Sequence, residues 1–200
     1  MKKKTEMDLV FLLDRSGSMR GLESDTIDGY NSLLESQKNN NVKVTTILFD
    51  HQYEILTNRI DIKEAKKLDD QTYFVRGCTA LLDAIGKTIE ELDKQNPKKV
   101  LFVITTDGEE NASQKYNKNQ IRELIKGHNN WEFMYIGADI DSYKEGSLIG
   151  IQTKNIANYQ KEKEGVKKLF KTLETTSKVF YDEDTISEDW KKDLEKEKRL

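Results

Sequence analysis

Residues 7–19 read MDLVFLLDRSGSM, a short apolar run that ends at an aspartate and is followed by small polar residues. An almost charge-free run of this length is typical of a strand buried on both faces, as in a parallel sheet covered by helices. We therefore predict a first strand over Met7–Leu13. Three later runs have the same character and are predicted as further strands: Val42–Phe49, Val100–Thr106 and Trp131–Gly137.

The stretches between these runs have helical spacing. Apolar residues recur there every three or four positions, starting at Ile27, Leu81 and Ile121. Strands that alternate with helices predict an α/β fold. We predict a three-layer, doubly wound (Rossmann-like) arrangement with a mostly parallel six-stranded sheet in the order 3-2-1-4-5-6 and one antiparallel edge strand.

The connection after the second run is the exception to this alternation. Only residues 50–52 separate it from a strand predicted over Tyr53–Ile60, which indicates a hairpin and an antiparallel strand at the sheet edge. Beyond Gly137 the pattern weakens. We predict there a helix from Asp141 to Leu148, a last strand over Gln152–Ile156 and a helix over Gln160–Lys178.

The end of the chain differs in composition from the rest. Twelve of the last eighteen residues are charged, and their well-spaced apolar residues are Ile186, Trp190 and Leu194. We predict one domain over residues 1–180. Residues 181–200 are predicted to form a charged C-terminal helix or tail that docks through those three residues or frays.

Composition limits the function classes. Charged residues make up 34% of the 200-residue chain, but 33 Lys and Arg against 36 Asp and Glu leave a net charge of -3. A near-neutral chain gives no support for nucleic-acid binding. No stretch approaches the roughly 18 apolar residues of a membrane span, and the run Leu9–Leu13 is too short for a secretion signal. We expect a cytoplasmic protein that binds neither nucleic acid nor membranes and is a monomer in isolation.

Cysteine and histidine are scarce in this chain. The single cysteine, Cys78, excludes an intramolecular disulfide framework and a cysteine-based zinc site. We interpret it as a small buried residue. The two histidines, His51 and His128, are predicted at a hairpin tip and a helix end, away from the polar stretches described next. A serine nucleophile in those stretches would lack an evident base.

Three polar stretches lie at strand ends or helix starts: Asp14–Ser18, Gly77–Leu81 and Thr105–Glu109. Taken singly, such residues are most often helix caps and turns. In the predicted sheet order, however, strands 1 and 4 are neighbours, and ligands bind at the carboxyl ends of such strands. Asp14 and Asp107 come directly after those two ends. Two carboxylates and three hydroxyls, with waters, would supply the oxygen shell that Mg²⁺ prefers.

The motif Asp14-x-Ser16-x-Ser18, then Thr79, then Asp107 within ITTDGEEN, resembles the metal-ion-dependent adhesion site of von Willebrand factor A domains, which integrin I domains also contain. The sequences that flank the motif, VFLLDRSGSM and CTALLDAI, are also similar to those of the family, and the resemblance covers about residues 7–178. It implies a complete site for Mg²⁺ or Mn²⁺. In that family the serines, the threonine and the aspartates coordinate the ion directly or through water, and a partner's Glu or Asp often takes the sixth position.

The resemblance therefore implies a metal-dependent protein-binding module whose partner contributes an acidic residue. The metal ligands it implies are Asp14, Ser16, Ser18, Thr79 and Asp107. We expect no catalytic residues and no enzyme activity. Because no export signal is found, the chain looks closer to the intracellular, stand-alone bacterial members than to the adhesive ones.

Two other functions stay open at this point. A metal-dependent hydrolase or phosphotransferase could use the same scaffold, although phosphatases of the haloacid dehalogenase class need a second Asp where this chain has Ser16. A P-loop and a nucleophile elbow are both absent. The other alternative is a structural subunit with a vestigial site. Glu109 and Glu110 either tune the site or follow the preference of acidic residues for helix starts.

Overall fold

A six-stranded sheet runs through the centre of the protein, in a computed structural model that describes residues 5–138, 140–187 and 189–195. The sheet order is β3-β2-β1-β4-β5-β6, and β2 pairs with β3 antiparallel while the other neighbours are parallel. The predicted fold class and strand order are confirmed. The strands are β1 (Met7–Asp14), β2 (Val42–Phe49), β3 (Tyr53–Asp61), β4 (Val100–Thr106), β5 (Trp131–Gly137) and β6 (Ile156–Asn158).

Helices cover both faces of the sheet. Successive side chains of a strand point to opposite faces, so an apolar strand has an apolar surface on each side that must be covered. In β1, Leu9, Phe11 and Leu13 belong to one apolar cluster, and Val10 and Leu12 belong to the other. The helices are α1 (Glu23–Gln37), α2 (Leu81–Asp93), α3 (Lys118–Gly127), α4 (Ser142–Leu148) and α5 (Lys163–Glu183). The first cluster includes residues of α1 and α5, and the second includes residues of α2 and α3.

Two predicted elements near the C-terminus have wrong boundaries. The last strand begins at Ile156 and not at Gln152, because residues 153–155 form a turn of 3-10 helix and the Asn155 side chain donates to Glu132 Oε2 at 2.7 Å. The last helix begins three residues later than predicted and continues to Glu183, because Phe180 and Tyr181 extend its buried face.

The segment after α5 packs against the domain. Asp184 ends the helix in the left-handed conformation at φ 58°, and the chain continues through turns, without further helix in its described positions up to 195. Ile186, Trp190 and Leu194 are buried in the same cluster as α1 and α5, and Trp190 Nε1 donates to the Lys154 carbonyl at 2.8 Å. These three residues therefore pack against the domain, and the described backbone that carries them forms turns.

Across the described ranges, no helix is both long enough and apolar enough to span a bilayer.

Candidate metal centre

The two aspartates singled out in the sequence lie side by side at one edge of the sheet. β1 and β4 are parallel neighbours in which Leu13 pairs with Thr105, so Asp14 and Asp107 follow at the same carboxyl edge. Both are nearly inaccessible to solvent, with exposed fractions of 1% and 3%. This edge is the point where the winding of an open α/β sheet reverses and where ligands bind.

Three hydroxyl groups surround the same point. Ser16 and Ser18 flank the start of a single turn of 3-10 helix, Gly17–Met19, and their Oγ atoms lie 3.0 Å apart. Ser18 Oγ donates to Asp107 Oδ1 at 2.5 Å. A Cβ placed on Gly108 would lie 2.8 Å from Thr79 Oγ1, 3.2 Å from Ser18 Oγ and 3.6 Å from Ser16 Oγ. All three hydroxyls therefore converge beside Gly108.

The five residues implied by the resemblance are thus brought together from three separate parts of the chain. We refer to Asp14, Ser16, Ser18, Thr79 and Asp107 as the carboxylate–hydroxyl cluster.

Asp14 is held rigidly at the end of β1. Its Oδ1 accepts the Ser16 backbone N–H at 2.7 Å, and its Oδ2 accepts the Thr106 hydroxyl at 2.6 Å. Burial raises the pKa of Asp14 to about 6; these hydrogen bonds oppose the increase, and the charge of Asp107 adds to it. A cation in this position would favour the ionised form, since an opposite charge nearby lowers a carboxyl pKa.

Asp107 has a different environment from Asp14. While Oδ1 accepts from Ser18, the buried Oδ2 makes no hydrogen bond within the part of the chain that the structure describes. It lies 3.1 Å from Nζ of Lys161, a residue of the segment between β6 and α5. Sequence reasoning did not find Lys161, because no local pattern links it to a site fifty-four positions earlier.

Thr79 is positioned by the loop that follows β4. The Asn111 side chain accepts the Thr79 N–H at 3.0 Å, and the N–H groups of Asn111 and Ala112 donate to the Thr79 carbonyl. Glu110 accepts the Leu82 N–H at the start of α2 and also the N–H groups of its own loop. Glu110 therefore caps the helix and braces the loop, while Glu109 is exposed.

A buried ion pair between Arg15 and Asp50 lies next to the end of β1. Arg15, which is fully buried, places Nε 2.8 Å from Asp50 Oδ2 and Nη2 2.8 Å from Glu54 Oε2. Arg76 also reaches Asp50, with Nε at 2.9 Å. The Tyr73 hydroxyl donates to the Asp14 carbonyl at 2.6 Å. These residues were missed because pairing across strands and loops leaves no sequence pattern.

Two sequence interpretations near this site need correction. Cys78 is exposed and not buried, because Thr79 is the residue of this loop that turns inward while Gly77 and Cys78 face solvent. His51 lies at the hairpin tip as predicted, but its ring packs directly over Gly77 and its Nδ1 is 3.1 Å from Asp50 Oδ1. It is therefore close to the loop that carries Thr79. His128 instead contacts Asp93 and the Leu124 carbonyl.

The donor set fits a hard divalent cation. Its atoms are carboxylate and hydroxyl oxygens, which suit Mg²⁺ or Mn²⁺ better than a soft metal. No group of three or more His, Cys, Asp or Glu side chains that could hold a metal occurs among the described residues. An ion bound here would therefore depend on the hydroxyls and on water for the rest of its shell.

Replacing Gly108 by alanine is expected to lower the free energy of unfolding by about 1–3 kcal/mol, because the new methyl group would be pressed into the hydroxyls of Thr79 and Ser18. Urea denaturation measures the loss. Gly127→Ala is the matched control: no atom lies within 4 Å of its new Cβ, so stability should stay unchanged or rise by up to about 1 kcal/mol. Equal stability of the two variants would contradict the packing described here.

The fold and site define a class: an open α/β domain with a cluster of hard oxygen donors at the switch point of its sheet. The family model of the von Willebrand factor type A domain matches residues 9–109, which is half of the chain. The chain belongs to this family. Domains of the family typically mediate protein–protein interactions.

Solved structures from several organisms have the same fold. The von Willebrand factor domain of the type V pilus tip protein Mfa5 from Porphyromonas gingivalis has a TM-score of 0.68 at 7% identity, and the match covers 92% of this chain and 99% of that one. Manganese-loaded TRAP protein from Plasmodium vivax has a TM-score of 0.60 at 20% identity and coverages of 82% and 73%.

A third similar structure is proximal thread matrix protein 1 from the mussel byssus, with a zinc-occupied MIDAS motif. Its TM-score is 0.63 at 13% identity, and the match covers 87% of this chain and 46% of that one. The chain therefore spans about half the length of this relative. Comparison with the curated proteins gave no match.

Proposed function

We propose that this chain is a metal-dependent protein-binding module. The carboxylate–hydroxyl cluster holds Mg²⁺ or Mn²⁺, and an acidic residue of a protein partner completes the coordination shell. The observation that carries this proposal is the convergence of three hydroxyls beside Gly108, at the sheet edge where Asp14 and Asp107 also lie, with a buried Asp107 oxygen that has no hydrogen bond to any described residue.

The geometry supports a role for each residue of the cluster. Ser16, Ser18 and Thr79 offer hydroxyl oxygens, and Asp14 and Asp107 offer charge, either as direct ligands or through water. Mg²⁺ prefers six oxygens and keeps several waters, so one position is open to an incoming ligand. The ion supplies an electrophilic centre for that ligand, and a carboxylate is the protein group best suited to it.

The similar structures support a divalent ion without specifying which one. Zinc is named in the mussel protein's MIDAS motif and manganese in the Plasmodium protein. The sequence predictions of an intracellular, stand-alone bacterial type, of a cytoplasmic location, of a monomer and of a domain boundary at residue 180 stay predictions. We also propose that the module binds its partner without turnover.

The test uses a defined probe. A library of short peptides that each carry one Glu or Asp is selected in Mg²⁺ and eluted with EDTA. Peptides found in this way are resynthesised with the carboxylate replaced by its amide. We expect binding to fall by at least about thirtyfold both in EDTA and with the amide, because the charged ligand group and the ion both contribute to the same contact.

Two variants control this experiment. Asp107→Asn should abolish peptide binding, whereas Glu109→Gln should retain it, because Glu109 is an exposed carboxylate two positions from the cluster residue. Peptide binding that survives EDTA or the amide substitution would overturn the proposal. Metal-dependent phosphatase or nucleotide hydrolysis that Asp107→Asn abolishes would favour the enzyme alternative.

A further inference from the structure

We propose that Lys161 sets the metal affinity of the carboxylate–hydroxyl cluster by competing with the divalent ion for Asp107. This inference rests on the proposed function, since it concerns the same site. It assigns a role to a residue that lies outside the five-residue motif and 54 positions beyond Asp107 in the sequence.

The contact between Lys161 and Asp107 is partly buried. Lys161 Nζ lies 3.1 Å from Asp107 Oδ2; the lysine side chain is 25% exposed and that of Asp107 is 0% exposed. Pairs between two exposed groups contribute little, because water and salt screen them. Here the carboxylate is shielded from water, so the ammonium group acts on it at short range and with weaker screening.

The backbone around Lys161 holds it at this edge of the sheet. β6 ends at Asn158, and the next residue, Tyr159, donates its N–H to the Gly137 carbonyl at the end of β5. The Tyr159 hydroxyl reaches Met19 Sδ at 3.8 Å, beside the turn that carries Ser18. Gly165, in the first turn of α5, packs closely against the Gln160 carbonyl. The segment is therefore fixed on both sides of the lysine.

The charges explain the competition. Lys161 places a positive charge 3.1 Å from Oδ2 of Asp107, an oxygen that the cluster offers to a divalent ion. The ammonium repels an ion that binds Asp107, which lowers the affinity for metal.

The experiment is a calorimetric titration of the full chain with Mg²⁺ alone, and in parallel with Mn²⁺ alone. Replacing the ammonium group by a neutral side chain in Lys161→Met should tighten metal binding by about tenfold. A second neutral variant, Lys161→Gln, should show the same change. Lys161→Arg keeps the positive charge and should bind metal within about threefold of the native affinity.

Lys163→Met is the matched control. Lys163 lies two positions away from Lys161, and its side chain is 72% exposed. Its Nζ lies 3.7 Å from Asp25 Oδ1, and Asp25 is not a residue of the cluster. Its loss should change metal affinity by less than about twofold, because the charge is exposed and screened. A change as large as that of Lys161→Met would assign the effect to general surface charge and overturn the proposal.

The outcomes separate this inference from the proposed function. Metal affinity that is unchanged or weakened in both neutral variants of Lys161 overturns the role of the lysine alone. Absence of metal binding by the native protein overturns the proposed function itself. Tighter binding in both neutral variants, with native-like affinity in Lys161→Arg and Lys163→Met, supports the competition.

Discussion

Mg²⁺ is expected to raise the thermal unfolding midpoint of the native protein and to leave that of Asp14→Asn unchanged. A ligand that binds only the folded state at 100 times its dissociation constant stabilises by about 2.7 kcal/mol, which corresponds to about 5–10 °C for a chain of this size. The asparagine removes the charge; its oxygen still accepts the Ser16 N–H, and its amide N–H can donate to the Thr106 hydroxyl oxygen, which reverses the second hydrogen bond. Scans in EDTA and in a magnesium series measure the difference.

Asp8→Asn is the matched control for this prediction. Asp8 lies on the same strand, is 2% exposed, and pairs with Arg59 Nε at 2.7 Å at the opposite end of β1. Its replacement should lower the midpoint in EDTA, because it weakens a buried ion pair, but the shift caused by Mg²⁺ should remain. A magnesium shift that persists in Asp14→Asn, or that disappears in Asp8→Asn, would contradict the assignment of Asp14 to the metal centre.

Asp50→Ala is expected to lower the free energy of unfolding by about 3–5 kcal/mol, because it leaves the fully buried guanidinium of Arg15 without its buried carboxylate partner. Urea denaturation at pH 7 in EDTA measures the loss. Glu54→Gln is the control: this carboxylate also lies 2.8 Å from Arg15, but it is 49% exposed. Its loss should cost less than about 1 kcal/mol. Equal losses in the two variants would show that burial does not decide the strength of this network.

The same network predicts a pH dependence. Burial acts to raise the pKa of Asp50, but hydrogen bonds from Arg76, the Gln52 N–H and Arg15 outweigh it and hold the pKa below its usual range. A carboxyl whose pKa is lowered by folding stabilises the protein above its unfolded pKa and loses that contribution as the pH falls through the folded value. The stability difference between the native protein and Asp50→Ala should therefore narrow below about pH 4. A difference that widened toward acid pH would contradict this account.

Local patterns predicted most of the fold because they report burial directly. The runs at Met7, Val42, Val100 and Trp131 are apolar on both faces, and that composition is stable only where helices cover a sheet on both sides. The short connection at residues 50–52 forced a hairpin for steric reasons alone. The prediction was poorest around residues 152–162, where one strand of three residues and a turn of 3-10 helix carry too few apolar side chains to set a period.

The candidate site, like the fold, could be predicted only in part from the sequence. The three polar stretches could be placed at one edge from the sequence, because each lies at a strand end or helix start and the sheet order brings those ends together. The five residues within them were named through the resemblance to the metal-ion-dependent adhesion site. The supporting residues other than Glu110 could not be named, and the contacts of Glu110 could not be predicted. The Asn111 side chain accepts the Thr79 N–H and the Glu110 carboxylate accepts the Leu82 N–H, and such contacts depend on how a loop folds back.

The sequence by itself therefore determined the layers, the strand order and the edge at which two aspartates and three hydroxyls meet, since periodicity and strand ends are local properties. Only the tertiary structure decided what surrounds that edge: the buried pair of Arg15 and Asp50, the exposure of Cys78, and the ammonium of Lys161 beside Asp107. The physical reason is that charge pairing and solvent access depend on distances between residues remote in the chain, and those distances exist only once the domain has folded.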